Sequence, residues 1–343
     1  MNIKIIWVLL KETFAEWNAD KASRLAAALS YYTIFSLAPL LIIAIAIVGA
    51  VFGEEAARGE IVGQIQGLVG KEGAQFIEMA IENASQPQTG TFASIISIIV
   101  LLFGASGFFA QLQDALNTIW EVQPKPNQGL VNIIRSRFLS FTMVLGVGFL
   151  LLVSLILSAA LSAVVNYLDD LIPAISLGLQ FFNFILSFAI ATVLFGLIYK
   201  VLPDVKIAWS DVWIGAIITS LLFSLGRYLL GMYFENSSFG STYGAAGSLV
   251  IILAWVYYAA QILFIGAELT QVYARMFGSR IVPARNAIPM TNATRAEQGM
   301  TQNNQQRQTN KNKSNSTEPN LINRLFRLTQ PKRSKRRRRN RQG

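Results

Sequence analysis

The chain has 343 residues, 53% apolar and 14% charged, against roughly a quarter charged in an ordinary soluble domain, so its composition points to lipid as the solvent. The net charge of +10 is unevenly placed: residues 279–343 hold 16 of the 29 Lys and Arg but only Glu297 and Glu318 as acids, giving +14 there and −4 in the rest, which argues against a basic nucleic-acid-binding domain. With no Cys and no His, disulfides, thiolate chemistry and imidazole metal sites are excluded, no metal or cofactor is expected, and acid–base work would fall to carboxylates, Lys or Tyr.

In chain order, Ile3, Ile6, Trp7, Leu10, Phe14 and Trp17 recur at helical spacing while Lys4, Lys11, Glu12 and Glu16 take the other side. Residues 1–27 therefore read as an interfacial amphipathic helix on the inner leaflet. A bilayer core about 30 Å thick needs roughly 20 mostly apolar residues per spanning helix. Six stretches qualify, near residues 29–51, 91–110, 138–165, 175–199, 212–232 and 245–269. The first has no small-residue cleavage site after a short apolar core, so it is expected to be retained as a span. The fold class is thus all-α: a polytopic membrane protein with six transmembrane helices over residues 28–278.

Lys and Arg in short flanking loops set the orientation. Lys4, Lys11, Lys21 and Arg24 precede the first span, Lys125, Arg135 and Arg137 follow the second, Lys200 and Lys206 follow the fourth, and Arg275 follows the sixth. The alternate loops are poor in cations. Both termini are expected in the cytoplasm, with residues 53–90 outside.

That outer loop carries Arg58 and Lys71 against six Glu. Ile61, Ile65, Leu68 and Val69, then Phe76, Ile77, Ala80 and Ile81, mark short amphipathic helices interrupted by glycines. They fit either an interfacial connector or a lid over an outer opening. Glu54, Glu55 and Glu60 read as solvated charge rather than a cation site. Residues 279–343 form a tail too poor in apolar groups to offset ordering entropy, and it is expected to be disordered. It ends in an apolar stripe, Leu321, Ile322, Leu325, Phe326 and Leu328, followed by eight cations within residues 332–341. Polybasic segments gain about 1 kcal/mol per cation near anionic lipid. The expected partners are therefore membrane lipids, with anionic headgroups held from Lys332 to Arg341; RNA contact by the tail is the competing reading.

Ionisable groups in or beside spans are costly and mark function by default. Arg24 begins the first span, Asp114 ends the second, Glu268 ends the sixth, and Arg227 lies toward the outer part of the fifth. Tyr257, Gln261, Glu268 and Gln271 stack on one face of the sixth span, Gly104, Gly107, Gln111 and Asp114 on one face of the second, and Arg24, Ala28 and Tyr31 on one face of the first. The candidate substrate-binding set is Arg24, Tyr31, Gln111, Asp114, Arg227, Tyr257, Gln261 and Glu268. The same residues fit an ion-paired cluster that only fastens the bundle. Arg227 fits either snorkelling to headgroups or anion binding. Ser154, Ser158 and Ser162 form a small-residue packing ridge, and Pro39 is expected to kink the first span.

Three segments, 24–40 (RLAAALSYYTIFSLAPL), 107–122 (GFFAQLQDALNTIWEV) and 243–270 (YGAAGSLVIILAWVYYAAQILFIGAELT), resemble the bacterial YihY/BrkB inner-membrane family over roughly residues 1–278. That resemblance implies a six-span plasma-membrane protein, with transport of lipid-like or envelope molecules among the proposed roles. The family's old ribonuclease label fits poorly, since no His cluster or paired acids could organise metal-assisted phosphodiester hydrolysis. Asp169 and Asp170 point to different sides of a helix and make a poor acid–base pair, so no enzyme is expected. The leading expectation is a transporter or lipid-handling protein, which requires a cavity between the first, second and sixth spans. The alternative is a non-transporting scaffold with a filled core, recruiting lipids or partners through its tail. No inverted repeat of the kind common in secondary transporters is evident.

Overall fold

The computed structural model describes residues 3–85, 91–126, 175–235, 247–278 and 281–301, together with Thr142, Gly146 and Val153. The stretch expected as the third span, the serine ridge, Asp169 and Asp170, and the basic end of the tail lie outside the described residues. The helices are α1 (Ile3–Ala19), α2 (Ala22–Phe52), α3 (Glu54–Ser85), α4 (Thr91–Ile119), α5 (Ile175–Val201), α6 (Trp209–Glu235), α7 (Gly247–Met276) and α8 (Asn292–Glu297). Four short strands accompany them: β1 (Val122–Pro124), β2 (Val205–Lys206), β3 (Val282–Pro283) and β4 (Ala287–Pro289). Among the described residues, four helical stretches are long and apolar enough to cross a membrane: α2, Phe184–Val201 of α5, Trp209–Leu230 of α6, and α7.

The centre of the first unit, which runs to Met290, is α7. It touches α1, α2, α3, α4 and α6, and every residue from Gly266 to Val272 is buried. A helix enclosed on all sides needs small residues where neighbours approach and internal partners for its polar groups. Two Gly-x-x-x-Thr pairs supply both against α6. A Cβ on Gly215 would overlap the Thr270 hydroxyl, and one on Gly266 would overlap the Thr219 hydroxyl. Each threonine donates to the carbonyl of the glycine one turn before it, at 2.7 Å in both helices. From α5, the Tyr199 hydroxyl donates to the Leu263 carbonyl at 2.8 Å and lies 2.9 Å from Thr219 Oγ1. Further along the same contact, Gly226 leaves room for the Tyr258 ring.

On the other side, α2 and α4 run antiparallel with Gly104 over the Pro39 ring and Gly107 over Ser36, where added Cβ atoms would lie 3.1 and 3.3 Å from Pro39 Cγ and Ser36 Oγ. The small residues read from the second span as a polar stripe are thus the seat for α2. Pro39 stays inside α2.

The helices expected between the first two spans pack back on the bundle. Ala57, Ile61, Val69, Ile77 and Ile81 of α3 are buried with Ala44, Ile45 and Val48 of α2 and Ile251 and Ile252 of α7. Burying each branched side chain from water contributes about 1.5–3 kcal/mol, which favours this hairpin over an extended connector. The break falls at Gly70, whose φ of 77° suits glycine alone without strain.

The expectation of disorder from residue 279 needs correction at its start. β4 pairs antiparallel with β1, and β3 with β2, so the chain after α7 is part of the fold through Met290. Strand ladders and side-chain hydrogen bonds supply here what apolar content does not. In the second unit, Thr291 caps α8 by accepting from the Thr294 amide at 3.2 Å, and buried Arg295 donates to the Thr301 carbonyl at 3.0 Å.

Gly215→Ala is expected to lower stability by about 1–3 kcal/mol through overpacking, with part of the loss recovered when Thr270→Ala is added. Gly63→Ala, with open space around its Cβ position, is expected to be neutral. Thermal unfolding of the three variants in detergent checks the difference; equal behaviour of Gly215 and Gly63 would contradict the interlock.

Candidate functional site

The candidate polar residues divide by burial. Glu268 is fully buried, and Gln271 is 4% exposed with no hydrogen-bond partner for its Oε1 among the described residues. Gln261 is half-buried and its Oε1 is likewise unpartnered, while Tyr257 is exposed at the far end of the stripe. Gln261, Glu268 and Arg275 are seven residues apart and share a face of α7. Arg275 closes that face by an ion pair with Glu16 of α1 at 2.8 Å, both side chains about one-fifth exposed. On α7, then, Glu268 and Gln271 are enclosed and Tyr257 is not, and the Arg275–Glu16 pair lies beyond the buried end of the stripe.

The other two helices differ. Arg24 and Tyr31 are exposed on the side of α2 opposite its buried ridge of Ala22, Ala26, Leu29, Thr33 and Ser36, and Tyr31 lies against exposed Phe35 at 5.0 Å between rings. Gln111 is half-buried, Asp114 is exposed, and Arg227 is exposed on α6. Carrying the Gly104–Pro39 and Gly107–Ser36 register along the helices sets Asp114 beside Leu29, with Arg24 about 7 Å further toward the α2 N-terminus at 1.5 Å per residue. The space where a cavity was expected is filled: Ala22, Ala26, Leu29, Leu112, Ala115, Leu116, Phe264 and Ala267 form one buried cluster.

Sequence reasoning missed a polar hub at this end of the bundle. Asp204, in the turn after α5, accepts from Asn117 Nδ2 at 2.9 Å and Gln113 Nε2 at 3.3 Å on one oxygen and from Asn286 Nδ2 at 2.7 Å on the other. Its amide donates to Asn117 Oδ1 at 2.7 Å, and its carbonyl accepts from the Ala284 amide at 2.9 Å. Lys125 Nζ donates to the Arg285 carbonyl at 2.6 Å, and the Met290 amide to the Glu121 carbonyl at 2.7 Å. Residues 281–290 therefore form a clasp across the ends of α4 and α5. No spacing in the sequence links Asn117, near the end of α4, with Asp204 and Asn286, which lie in two separate turns.

At the opposite end a cavity of about 340 Å³ lies between α2 and α3, lined by Ile42, Ile45, Ala46, Gly49, Ala50, Glu54, Arg58 and Ile81. Its wall is mostly apolar and holds one acid and one base. Arg58 also approaches Glu78 at 3.7 Å. Among the described residues, no group of three His, Cys, Asp or Glu is placed to hold a metal ion.

These long apolar helices, joined by small-residue contacts, define an integral membrane protein. The chain belongs to the virulence factor BrkB family, whose model matches residues 13–290. It is similar to a UPF0761 membrane protein of Alcanivorax borkumensis, 27% identical over 276 residues, covering 79% of this chain and 60% of that protein. A second, from Mannheimia succiniciproducens, is 24% identical over 282 residues, covering 80% and 93%, and a third, from Teredinibacter turnerae, is 28% identical over 282 residues, covering 79% and 61%. This chain thus spans about 60% of the length of the first and third of these relatives. No solved structure matches.

Because the chain is free of Cys, Gln123→Cys with Ile288→Cys, partners in the β1–β4 register, is expected to form a disulfide under mild oxidation. Asp204→Ala is expected to reduce that cross-link and lower stability by roughly 1.5–3 kcal/mol, the scale for loss of hydrogen bonds to a charged group. Non-reducing gels and thermal unfolding read both. Cross-linking no faster than for a Gln123→Cys, Glu60→Cys pair, whose second position is exposed on α3, would contradict the clasp.

Proposed function

We propose that this chain is a transporter or lipid-handling protein of the bacterial plasma membrane that receives an amphiphilic envelope molecule in the cavity between α2 and α3. The supporting observation is that cavity: about 340 Å³, apolar on most of its wall, with Glu54 and Arg58 beside it. Binding sites of this kind typically measure roughly 300–1,000 Å³ and combine apolar walls with a few polar groups. The reading rests on this cavity alone, because the space between α2, α4 and α7 is filled.

The proposed topology has six spans, with both termini and the clasp in the cytoplasm and α3 outside. The clasp supports it, because β1, β2 and the segment after α7 meet at one end. The 27 residues of α5 rise about 40 Å toward that end. Helix α1 is read as interfacial: Ile6, Trp7, Leu10 and Phe14 are exposed, with Lys4 and Lys11 near them, while Leu9 and Thr13 are buried. The basic tail is read as a contact for anionic lipid.

A scaffold is the second reading, and the filled core between α2, α4 and α7 favours it. The cavity separates the two. Photo-crosslinkable lipid is expected to attach to peptides of α2 and α3 in wild type, and Ala46→Trp, which fills the cavity, is expected to reduce that attachment several-fold without loss of folded protein. Attachment unchanged by Ala46→Trp would favour the scaffold.

A further inference from the structure

The cavity contains two opposite charges, and their placement restricts what fits. Glu54 and Arg58 are four residues apart on α3 and so share one helical face, and both line the same space as Ile42, Ile45, Ala46 and Ile81. Close packing fixes Glu54: a Cβ on Gly49 would lie 3.1 Å from Glu54 Cα and 3.4 Å from its nitrogen. The turn between them passes through Gly53 at φ 90°, a conformation that favours glycine. The acid is thus held against α2 by two glycines.

The Arg58 guanidinium is 3.7 Å from Glu78, and the two side chains are 35% and 47% exposed. Ion pairs this loose and exposed contribute little, so a phosphate able to take two parallel hydrogen bonds from a guanidinium competes effectively for it. Among the described residues Glu54 has no ion pair of its own. The wider field also selects: α3 carries six Glu against Arg58 and Lys71, which disfavours a head group of net negative charge. A purely cationic head would meet Arg58. A head carrying both charges satisfies the acid, the base and the field together.

Resting on the reading of this cavity as an amphiphile site, we infer that its occupant is a zwitterionic aminophospholipid, with the ammonium on Glu54, the phosphate on Arg58 and part of an acyl chain along Ile42, Ile45, Ala46 and Ile81. The experiment uses the full chain in nanodiscs with photo-crosslinkable phosphatidylethanolamine or phosphatidylglycerol, reading attachment to the peptide that holds residues 42–58. Phosphatidylethanolamine is expected to attach about fivefold more than phosphatidylglycerol, the scale of one charge-assisted contact. Glu54→Gln is expected to bring the ratio near one, and Glu54→Lys to invert it. Soluble glycerophosphoethanolamine is expected not to compete, because it lacks the chain. Equal attachment of both lipids in wild type, or a ratio insensitive to Glu54→Gln, overturns the zwitterion while leaving an amphiphile site in place. Competition by the soluble head group as strong as by the lipid overturns the acyl-chain contact. Attachment of neither lipid overturns the amphiphile site itself, and the zwitterion with it.

Discussion

The structure depends on enclosing the second half of α7 within protein. From Gly266 to Val272 that helix has no exposed residue, yet it carries Glu268, Thr270 and Gln271. In lipid there is little hydrophobic gain from pressing one apolar helix on another, so close approach and internal hydrogen bonds must hold them. The two Gly-x-x-x-Thr pairs meet both demands. Each glycine admits the partner helix's threonine, and each threonine bonds its own backbone. Tyr199 then ties α5 to the same point. Because α7 is fixed there, its polar face must meet α1, α2 and α4 rather than lipid.

The two ends of the bundle follow different physical rules. At the clasp end the connections are joined by polar contacts: Asp204 links the turn after α5 to α4 and to the segment beyond α7, and Glu16 pairs with Arg275. At the other end α3 is held by branched aliphatic side chains against α2 and α7, contacts that slide more readily than directed hydrogen bonds. In the proposed function this asymmetry makes the clasp end the closed side and the α3 end the receiving side. Helix α1 joins the two themes, with Leu9 and Thr13 turned to the protein and Trp7 and Phe14 exposed.

Much of the fold was legible because apolar run length and helical periodicity are local properties. The stretches read as the first, fourth, fifth and sixth spans match α2, α5, α6 and α7, and Ile61, Val69, Ile77 and Ile81 of the segment expected outside are buried on α3. What was not legible is long-range. Asp204 reads as an ordinary loop acid, since its partners Asn117 and Asn286 are each more than eighty residues away. Periodicity likewise shows that Arg24, Ala28 and Tyr31 share a face but not which way it turns. The small ridge of Ala22, Ala26 and Ser36 won the core because it permits close packing, and the charged stripe was left exposed. On α7 the stripe divides: Glu268 and Gln271 are buried, while Tyr257 is exposed.

The central claim is that the bundle is open beside α3 and sealed at the clasp end. Single cysteines at Ala50, which lines the cavity, at Gln271, which is buried, and at exposed Lys206 can be treated with a membrane-impermeant maleimide in intact cells and in inverted vesicles. The account predicts reaction of Ala50→Cys from outside, of Lys206→Cys from the cytoplasmic side, and of Gln271→Cys from neither. Labelling of Gln271→Cys in inverted vesicles at a rate near that of Lys206→Cys would contradict it.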